Sequence, residues 1–314
     1  MTSNNQTQQP DPQRTATFAD WFEGARLRTL PAAVAPVILG SSAAATLGGF
    51  HFGRALLATL VALGLQVGVN YANDYSDGIR GTDDGRVGPQ RLTGSGLAKP
   101  RQVLMAALAC FAFAGLCGLW LLALSGDWWL LIFGVIAVVA AWFYTGGKKP
   151  YGYMGLGEIM VIAFFGFMAV NGTLWTQAHL APWWSWLAAL GVGLISADLL
   201  MINNIRDIPT DRRSGKKTLA VRLGDQKARL VYSIMLLVAW VLGVIVAVFG
   251  SAEHNIVGGV LMLSLLAAVA VLHNHVVPHH AKGPELIKVL TLTGIFVLVY
   301  ALFLSISLLL GTLP

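Results

Sequence analysis

Apolar segments dominate this sequence, and each is long enough, or nearly so, to cross a bilayer hydrocarbon core of roughly 30 Å. Nine such segments follow one another, and they run approximately over residues 29–48, 54–73, 101–124, 128–145, 156–178, 183–205, 228–250, 255–276 and 287–311. Only 11% of the 314 residues are charged, against roughly 25% in a soluble domain. The chain is therefore predicted to be an all-α polytopic membrane protein, a bundle of nine transmembrane helices.

The N-terminal region has a different composition from the rest of the chain. Residues 1–17 are polar, rich in Gln, Asn, Thr and Pro, and they contain no apolar core of the kind found in signal peptides. An amphipathic stretch from Phe18 to Arg28 follows. We expect residues 1–25 to form a disordered and amphipathic tail, and residues 26–314 to form a single transmembrane domain.

Basic residues are distributed unevenly among the predicted loops. If the N-terminus lies in the cytoplasm, the loops on that side are 74–100, 146–155, 206–227 and 277–286, and they carry almost all the Lys and Arg. Arg54 is the only basic residue near the other loops. By the positive-inside rule this asymmetry supports nine crossings and a cytoplasmic N-terminus. We expect the membrane to be a plasma (inner) membrane. The net charge of +6 is thus an orientation signal, and we do not expect a nucleic-acid partner.

Two acidic clusters stand out, and both fall on the predicted cytoplasmic side. In the first, Asp74 and Asp77 are three residues apart and share a helix face with Asn70 if the preceding helix continues. In the second, Asp207 and Asp211 are four residues apart. Carboxylates in pairs, without His or Cys nearby, are typical ligands of Mg²⁺ that also contacts substrate phosphates. The two pairs predict a diphosphate clamp.

The details of these clusters leave alternatives open. The acidic residues alone are also compatible with solvated positions at helix ends. Pro209 lies between Asp207 and Asp211, and it would separate the second pair if it breaks the helix. The longest predicted loops follow the two clusters, so they are long enough to cap a cavity at the membrane surface.

Basic and aromatic residues near the clusters have two possible roles, in the cavity or at the membrane interface. Lys148 follows Tyr144 by four residues at the end of the fourth segment, where it is placed to meet a diphosphate oxygen. Tyr144 fits an interfacial belt or a cavity wall that stabilises a cation by its ring face. The other basic residues of these loops are explained by the positive-inside rule, and they include Arg80, Arg206, Lys216 and Lys217.

Three further features carry weaker signals. Asp198 lies inside the sixth segment, where a carboxyl group is either functional or hydrogen-bonded to a neighbouring helix. Glu158 opens the fifth segment, in the first helical turn that favours acidic residues. A group of histidines has no common zinc spacing and is interpreted as complementing a helix C-terminus; it comprises His273, His275, His279 and His280.

The motifs resemble those of a known family. Asn73-Asp74-x-x-Asp77 with a further Asp83, and Asp207-x-x-x-Asp211 followed by Gly215-Lys-Lys-Thr-Leu-Ala-Val-Arg-Leu-Gly224, resemble the two signatures of the UbiA superfamily of intramembrane aromatic prenyltransferases. Further stretches resemble its MenA branch, the 1,4-dihydroxy-2-naphthoate polyprenyltransferases. These are residues 26–36, 77–83, 88–92, Tyr144-Thr145 and 155–158. The spacer from Asp77 to Asp83 is longer than in most of the superfamily and looks like the MenA variety.

The resemblance implies a central cavity capped by cytoplasmic loops, in which Mg²⁺ holds a polyprenyl diphosphate. It assigns the metal-binding carboxylates to Asp74, Asp77, Asp83, Asp207 and Asp211. It places near the diphosphate Asn70, Asn73, Tyr144, Lys148 and Asn203. Arg28 is implied as a partner for the carboxylate of the acceptor, 1,4-dihydroxy-2-naphthoate. Two alternatives are another acceptor such as 4-hydroxybenzoate, and, from a different class, a cation or metabolite transporter.

Overall fold

The computed structural model describes residues 15–82, 91–250 and 255–312, and every regular element in these ranges is helical. The helices are α1 (Phe18–Gly24), α2 (Leu30–Thr46), α3 (Phe52–Ile79), α4 (Pro100–Ser125), α5 (Leu131–Phe143), α6 (Gly157–Val161), α7 (Ala169–Ala178), α8 (Trp183–Arg213), α9 (Leu219–Leu223), α10 (Asp225–Phe249), α11 (Ile256–Leu263), α12 (Leu266–Val276) and α13 (Pro284–Leu310). The predicted all-α membrane architecture is therefore confirmed.

Eight helical stretches within the described residues are long and apolar enough to cross a membrane. They correspond to eight of the nine predicted segments. The predicted segment 128–145 forms a shorter apolar helix, Trp128–Phe143, which consists of a 3₁₀ turn and α5. In the crossing Gly157–Ala178 a π-helical stretch, Ile162–Met168, joins α6 to α7. Such wide turns within α-helices occur frequently at functional sites.

Local sequence explains several of the helix ends. Pro100 and Pro284 each begin a helix at the position where a missing N–H costs nothing. Gly126 ends α4 with a left-handed backbone (φ 81°), a conformation that glycine adopts without steric cost. These signals set the lengths of the crossings.

Two helices continue past their predicted ends, and both carry an acidic cluster. α3 extends to Ile79 and therefore includes Asp74 and Asp77. α8 extends to Arg213 and runs through Pro209 without a break. Of the two alternatives for this proline, a broken and a continuous helix, the structure shows the continuous one, so the one-turn spacing of the second cluster is kept. Both clusters consequently project from helix ends at the same end of the bundle.

α8 is the most buried of the eight long crossings, with 72% of its apolar window buried. It packs against α10, α13 and the π-helical stretch. Small residues make this packing close: a Cβ on Gly193 would lie 3.1 Å from the Cα of Gly166, and a Cβ on Gly191 would lie 2.3 Å from the hydroxyl of Tyr300. That hydroxyl donates a hydrogen bond to the carbonyl of Ala239. These glycines therefore allow the helices to pack closely.

Candidate active site

A chamber of about 1060 Å³ opens between α2, α3, α4, α5, the π-helical stretch and α8. Most of its wall is apolar and comes from the membrane-spanning parts of these helices. Polar and charged side chains collect at one end, where α3 and α8 carry their acidic residues. The chamber therefore combines a long, mostly apolar lining with one charged end.

Asp77 lies at the charged end and is only 4% exposed. Its Oδ1 accepts hydrogen bonds from the hydroxyl of Tyr153 and, at 3.1 Å, from the Nζ of Lys216. The Nη2 of Arg91 lies 3.8 Å from its Oδ2. Groups from three separate segments thus surround one carboxylate, and the two cations offset the cost of burying its charge.

Asp74 has a different environment, although it is one helical turn away. It is 1% exposed and is not among the residues that line the chamber. Its two oxygens accept hydrogen bonds from the backbone N–H groups of Leu92 and Thr93, both at 2.8 Å. Asp74 therefore holds the segment that begins at Arg91 against α3. Asp83 falls outside the described residues.

The second cluster also faces the chamber, since both Asp207 and Asp211 line it. The guanidinium of Arg206 donates to both oxygens of Asp207, at 2.7 and 2.9 Å. The hydroxyl of Thr218 lies 3.4 Å from an Asp211 oxygen. The segment after α8 therefore folds back over the second cluster, where Thr218 contacts Asp211. The same segment places Lys216 next to Asp77 of the first cluster.

Three predicted asparagines line the same end of the chamber. Asn70 donates to the hydroxyl of Thr29 at 3.1 Å, which ties α3 to the turn before α2. The amide oxygen of Asn73 accepts from the hydroxyl of Thr145 at 2.7 Å. Asn203 donates to a carbonyl within its own helix. Asn73 and Asn203 are 130 residues apart in the sequence. The structure therefore brings the amides and carboxylates of the two distant motifs to the same end of the chamber.

Tyr144 lines the chamber, and its ring packs edge-on against Tyr151 with centroids 5.5 Å apart. Lys148 and Arg28 are exposed, and neither lines the chamber. Lys216, which the sequence analysis explained by orientation, is the lysine that reaches a carboxylate there. Its position just after the second acidic motif was the one available signal.

Tyr153 is a second residue that the sequence did not single out. Besides its hydrogen bond to Asp77, its ring lies under two cations, 4.6 Å from Lys216 Nζ and 5.6 Å from the guanidinium carbon of Arg80. Burial raises the pKa of this phenol, and the charge of Asp77 and the hydrogen bond to it raise the pKa further. Tyr153 therefore remains a hydrogen-bond donor at neutral pH.

Comparison with known proteins agrees with this geometry. A model of the UbiA prenyltransferase family matches residues 33–285. The chain belongs to the UbiA prenyltransferase family. Members of this family with curated names include a 1,4-dihydroxy-2-naphthoate octaprenyltransferase from Mycobacterium tuberculosis, which is 50% identical over 95% of this chain and 99% of its own. A protein of the same name from Escherichia coli is 40% identical over 69% of this chain and 72% of its own.

Solved structures show that the UbiA fold extends over the whole described bundle. A UbiA homolog from Archaeoglobus fulgidus bound to GPP and Mg²⁺ aligns with a TM-score of 0.65 at 16% identity, covering 94% of this chain and 100% of that one. The apo structure of a homolog from Aeropyrum pernix aligns with a TM-score of 0.66 at 16% identity, covering 90% and 98%. These comparisons establish the fold of this prenyltransferase.

The donor set of this UbiA protein suits Mg²⁺, because the residues at the charged end of the chamber offer oxygen ligands. In the described part of the chain no group of three His, Cys, Asp or Glu side chains is close enough to hold a metal. Each acidic cluster by itself is thus an incomplete site. Such sites fit Mg²⁺ that is held by one or two carboxylates together with substrate phosphates.

Other predicted residues lie away from the charged end. Asp198 is fully buried in α8 and does not line the chamber. Neither of its oxygens has a hydrogen-bond partner among the described residues, so of the two alternatives for this carboxyl group the hydrogen bond to a neighbouring helix is not observed there. Glu158 lies in the first turn of α6, as predicted, and accepts from Asn204 at 2.9 Å. His275 and His279 pack edge-on near the end of α12.

Proposed function

We propose that this protein transfers a polyprenyl group from polyprenyl diphosphate to 1,4-dihydroxy-2-naphthoate, with loss of CO₂, and so forms demethylmenaquinol for menaquinone biosynthesis. One observation carries the proposal: two acidic clusters and a lysine meet at one end of a long apolar chamber. A diphosphate fits the charged end, and a prenyl chain fits the apolar remainder. The names of the relatives supply the acceptor.

The two clusters would hold Mg²⁺ separately, Asp77 in one and Asp207 with Asp211 in the other, since all three carboxylates line the chamber. Asp83 remains a predicted further ligand, and Asp74 is better placed to support the loop that starts at Arg91. When bound, Mg²⁺ neutralises the charge that develops on the leaving diphosphate. These carboxylates would therefore fix the position of the diphosphate at the charged end of the chamber.

Other side chains of the protein would bind the diphosphate, face the allylic cation and exclude water. Lys216 exchanges its contact with Asp77 for a diphosphate oxygen, so that a cation is present where negative charge develops. As the bond between the allylic carbon and the diphosphate oxygen breaks, the rings of Tyr144 and Tyr151 face the positive charge that forms on the prenyl group. The apolar walls exclude water, which would otherwise capture this cation.

The naphthoate then forms the new carbon–carbon bond to the prenyl group at the ring carbon that bears the carboxylate. The bond from the ring to the carboxylate breaks, CO₂ leaves, and the electron pair returns to the ring and restores aromaticity. The prenyl chain lies along the apolar wall of α4 and α5, next to lipid. We place the charged end in the cytoplasm of a plasma (inner) membrane, since the distribution of Lys and Arg supports that orientation.

The test uses purified protein in liposomes with Mg²⁺, a radiolabelled polyprenyl diphosphate and either 1,4-dihydroxy-2-naphthoate or 4-hydroxybenzoate. We expect label to enter a demethylmenaquinone-like lipid with the naphthoate only, and Asp207→Asn to abolish the transfer. Transfer to 4-hydroxybenzoate instead would refute the acceptor. Absence of transfer to both acids would refute the prenyltransferase assignment and favour a transporter.

A further inference from the structure

The chamber continues across the bundle to a far end, opposite its charged residues, where hydrogen bonds tie the helices together. The guanidinium of Arg54 donates to the carbonyls of Thr176 on α7 and Leu124 on α4, at 2.9 and 2.7 Å. The indole N–H of Trp175 donates to Asp127, just before the 3₁₀ turn that leads to α5, at 3.1 Å. The ends of α4 and α7 and the start of this turn are therefore held at one level.

Three glycines line the chamber at the same distance from this far end. Gly118 lies seven residues before the end of α4, Gly134 six residues after the start of the 3₁₀ turn, and Gly172 six residues before the end of α7. At about 1.5 Å per residue, all three lie about 10 Å from the far end. Among the described residues, a Cβ on Gly134 or Gly172 would meet nothing within 4 Å beyond its own helix backbone, and a Cβ on Gly118 would meet only Val61, at 3.7 Å. The chamber is therefore widened at this depth.

Asn171 lies at the same depth, one position before Gly172, and it forms with the three glycines what we call the glycine layer. It lines the chamber and is 7% exposed. Neither the nitrogen nor the oxygen of its amide has a hydrogen-bond partner among the described residues. A buried amide without partners is costly inside a membrane, where lipid tails supply no donor or acceptor. A polar ligand in the chamber is the group that would supply them.

Aromatic rings line the chamber between the glycine layer and the far end. Trp129 and Trp175 pack edge-on with ring centroids 5.6 Å apart, and Phe133 packs edge-on against Trp129 at 5.9 Å. Open apolar space beside such rings suits another flat ring. The amide of Asn171 further requires an oxygen on that ring, which accepts from its N–H as a carbonyl or donates to its C=O as a hydroxyl. A quinone or quinol ring meets both requirements, whereas a prenyl chain cannot bond to the amide.

The glycine layer is remote from the charged end. On α3 its depth is marked by Val61, the neighbour of Gly118, and Asp77 lies 16 residues further along the same helix. That separation is about 24 Å, so a ring in the layer does not occupy the proposed reaction site. A long prenyl chain held by its diphosphate extends into this space. The main chain of geranyl diphosphate is too short to do so, since it spans only about 10 Å at about 3.5 Å for every three bonds of a stretched chain.

We propose that the glycine layer is a second binding site, which takes the ring of a prenylated naphthoquinone or naphthoquinol with a ring oxygen bonded to the amide of Asn171. The naphthalene part of this ligand rests on the proposed function, because the product of that reaction is such a molecule and dissolves in the same membrane. A ring in the layer excludes the tail of a long prenyl donor and leaves the reaction site open. Released product therefore inhibits the transfer of long prenyl groups, in competition with the donor.

The first test measures equilibrium binding of radiolabelled 2-geranyl-1,4-naphthoquinone to the purified protein in detergent, without Mg²⁺ or donor. Asn171→Leu should weaken binding about five- to tenfold, the size of one or two neutral hydrogen bonds, and Gly172→Leu, which fills the layer, at least as much. 2-Geranylnaphthalene, which lacks the oxygens, should bind the wild type and Asn171→Leu equally. Ser196→Ala is the matched control: this hydroxyl also lines the chamber without a partner among the described residues, but it lies 13 residues, about 20 Å, from the far-end start of α8.

The second test measures inhibition of prenyl transfer by the same quinone. With a long polyprenyl diphosphate we expect competitive inhibition, and Asn171→Leu should raise the inhibition constant about five- to tenfold while kcat and KM for geranyl diphosphate stay unchanged. Inhibition that is equally strong with geranyl diphosphate and insensitive to Asn171→Leu would place the quinone at the reaction site and overturn the second site. Unchanged binding in both layer variants would also overturn it and leave Asn171 to a bound water. No transfer to the naphthoate by the wild type would instead refute the proposed function, and the binding test would still decide the site.

Discussion

The hydroxyl of Tyr153 is one hydrogen-bond donor to Asp77, and its removal tests whether this carboxylate must be held in place. Tyr153→Phe deletes one oxygen and keeps the ring that Lys216 and Arg80 both contact. A hydrogen bond to a charged group contributes about 1.5–3 kcal/mol. Because Lys216 still donates to the same oxygen of Asp77, we expect the lower end of this range, and about 1.4 kcal/mol corresponds to a tenfold change.

The assay is prenyl transfer measured at increasing Mg²⁺ concentration. We expect Tyr153→Phe to lower kcat/KM for the prenyl diphosphate about tenfold and to raise the half-saturating Mg²⁺ concentration, while KM for the acceptor is unchanged. The raised pKa of Tyr153 keeps the phenol protonated in the wild type, so the loss should be equal at pH 7 and pH 9. Tyr151→Phe is the matched control in the same loop. An unaltered Mg²⁺ dependence in Tyr153→Phe would refute the positioning role.

Three further predictions concern other contacts. Asp74→Asn should lower the melting temperature in detergent more than Asp207→Asn does, since it disrupts an acceptor of two backbone N–H groups; equal melting temperatures would contradict its structural role. Lys216→Gln should raise KM for the prenyl diphosphate without changing KM for the acceptor, and a change in the acceptor KM alone would place this lysine elsewhere. Gly191→Val should lower the melting temperature by several degrees because its side chain would collide with a buried phenol, whereas Gly115→Ala, which has open space, should not.

Much of the fold could be predicted because hydrophobicity is a local property of the chain. Runs of apolar residues identify segments that must form helices in a bilayer, where every backbone polar group needs an internal partner. Helix boundaries were less predictable. α3 and α8 extend beyond the apolar runs to Ile79 and Arg213, because a helix that leaves the membrane can continue into polar sequence. α8 also continues through Pro209, although a proline at this position removes the helical hydrogen bond to the carbonyl four residues earlier.

The sequence predicted which residues belong to the candidate site better than it predicted what each of them does there. Spacing placed Asp74 and Asp77 on one turn, and it does not distinguish a carboxylate that faces the chamber from one that accepts backbone N–H groups of a distant segment. Lys216 and Tyr153 looked ordinary, because their contacts with Asp77 join positions 139 and 76 residues apart. No local pattern encodes such pairs.

The sequence by itself determined the membrane architecture, the positions of the two acidic clusters and the resemblance to prenyltransferases, because these depend on composition and on short motifs. Tertiary structure decided which carboxylates face the chamber, which lysine reaches them, and that an amide without a partner among the described residues lies beside glycines toward the far end of the chamber. These features arise where helices distant in sequence come together. Their geometry is set by the packing of small residues such as Gly193 against Gly166, and packing is a property of pairs of surfaces that neither segment specifies alone.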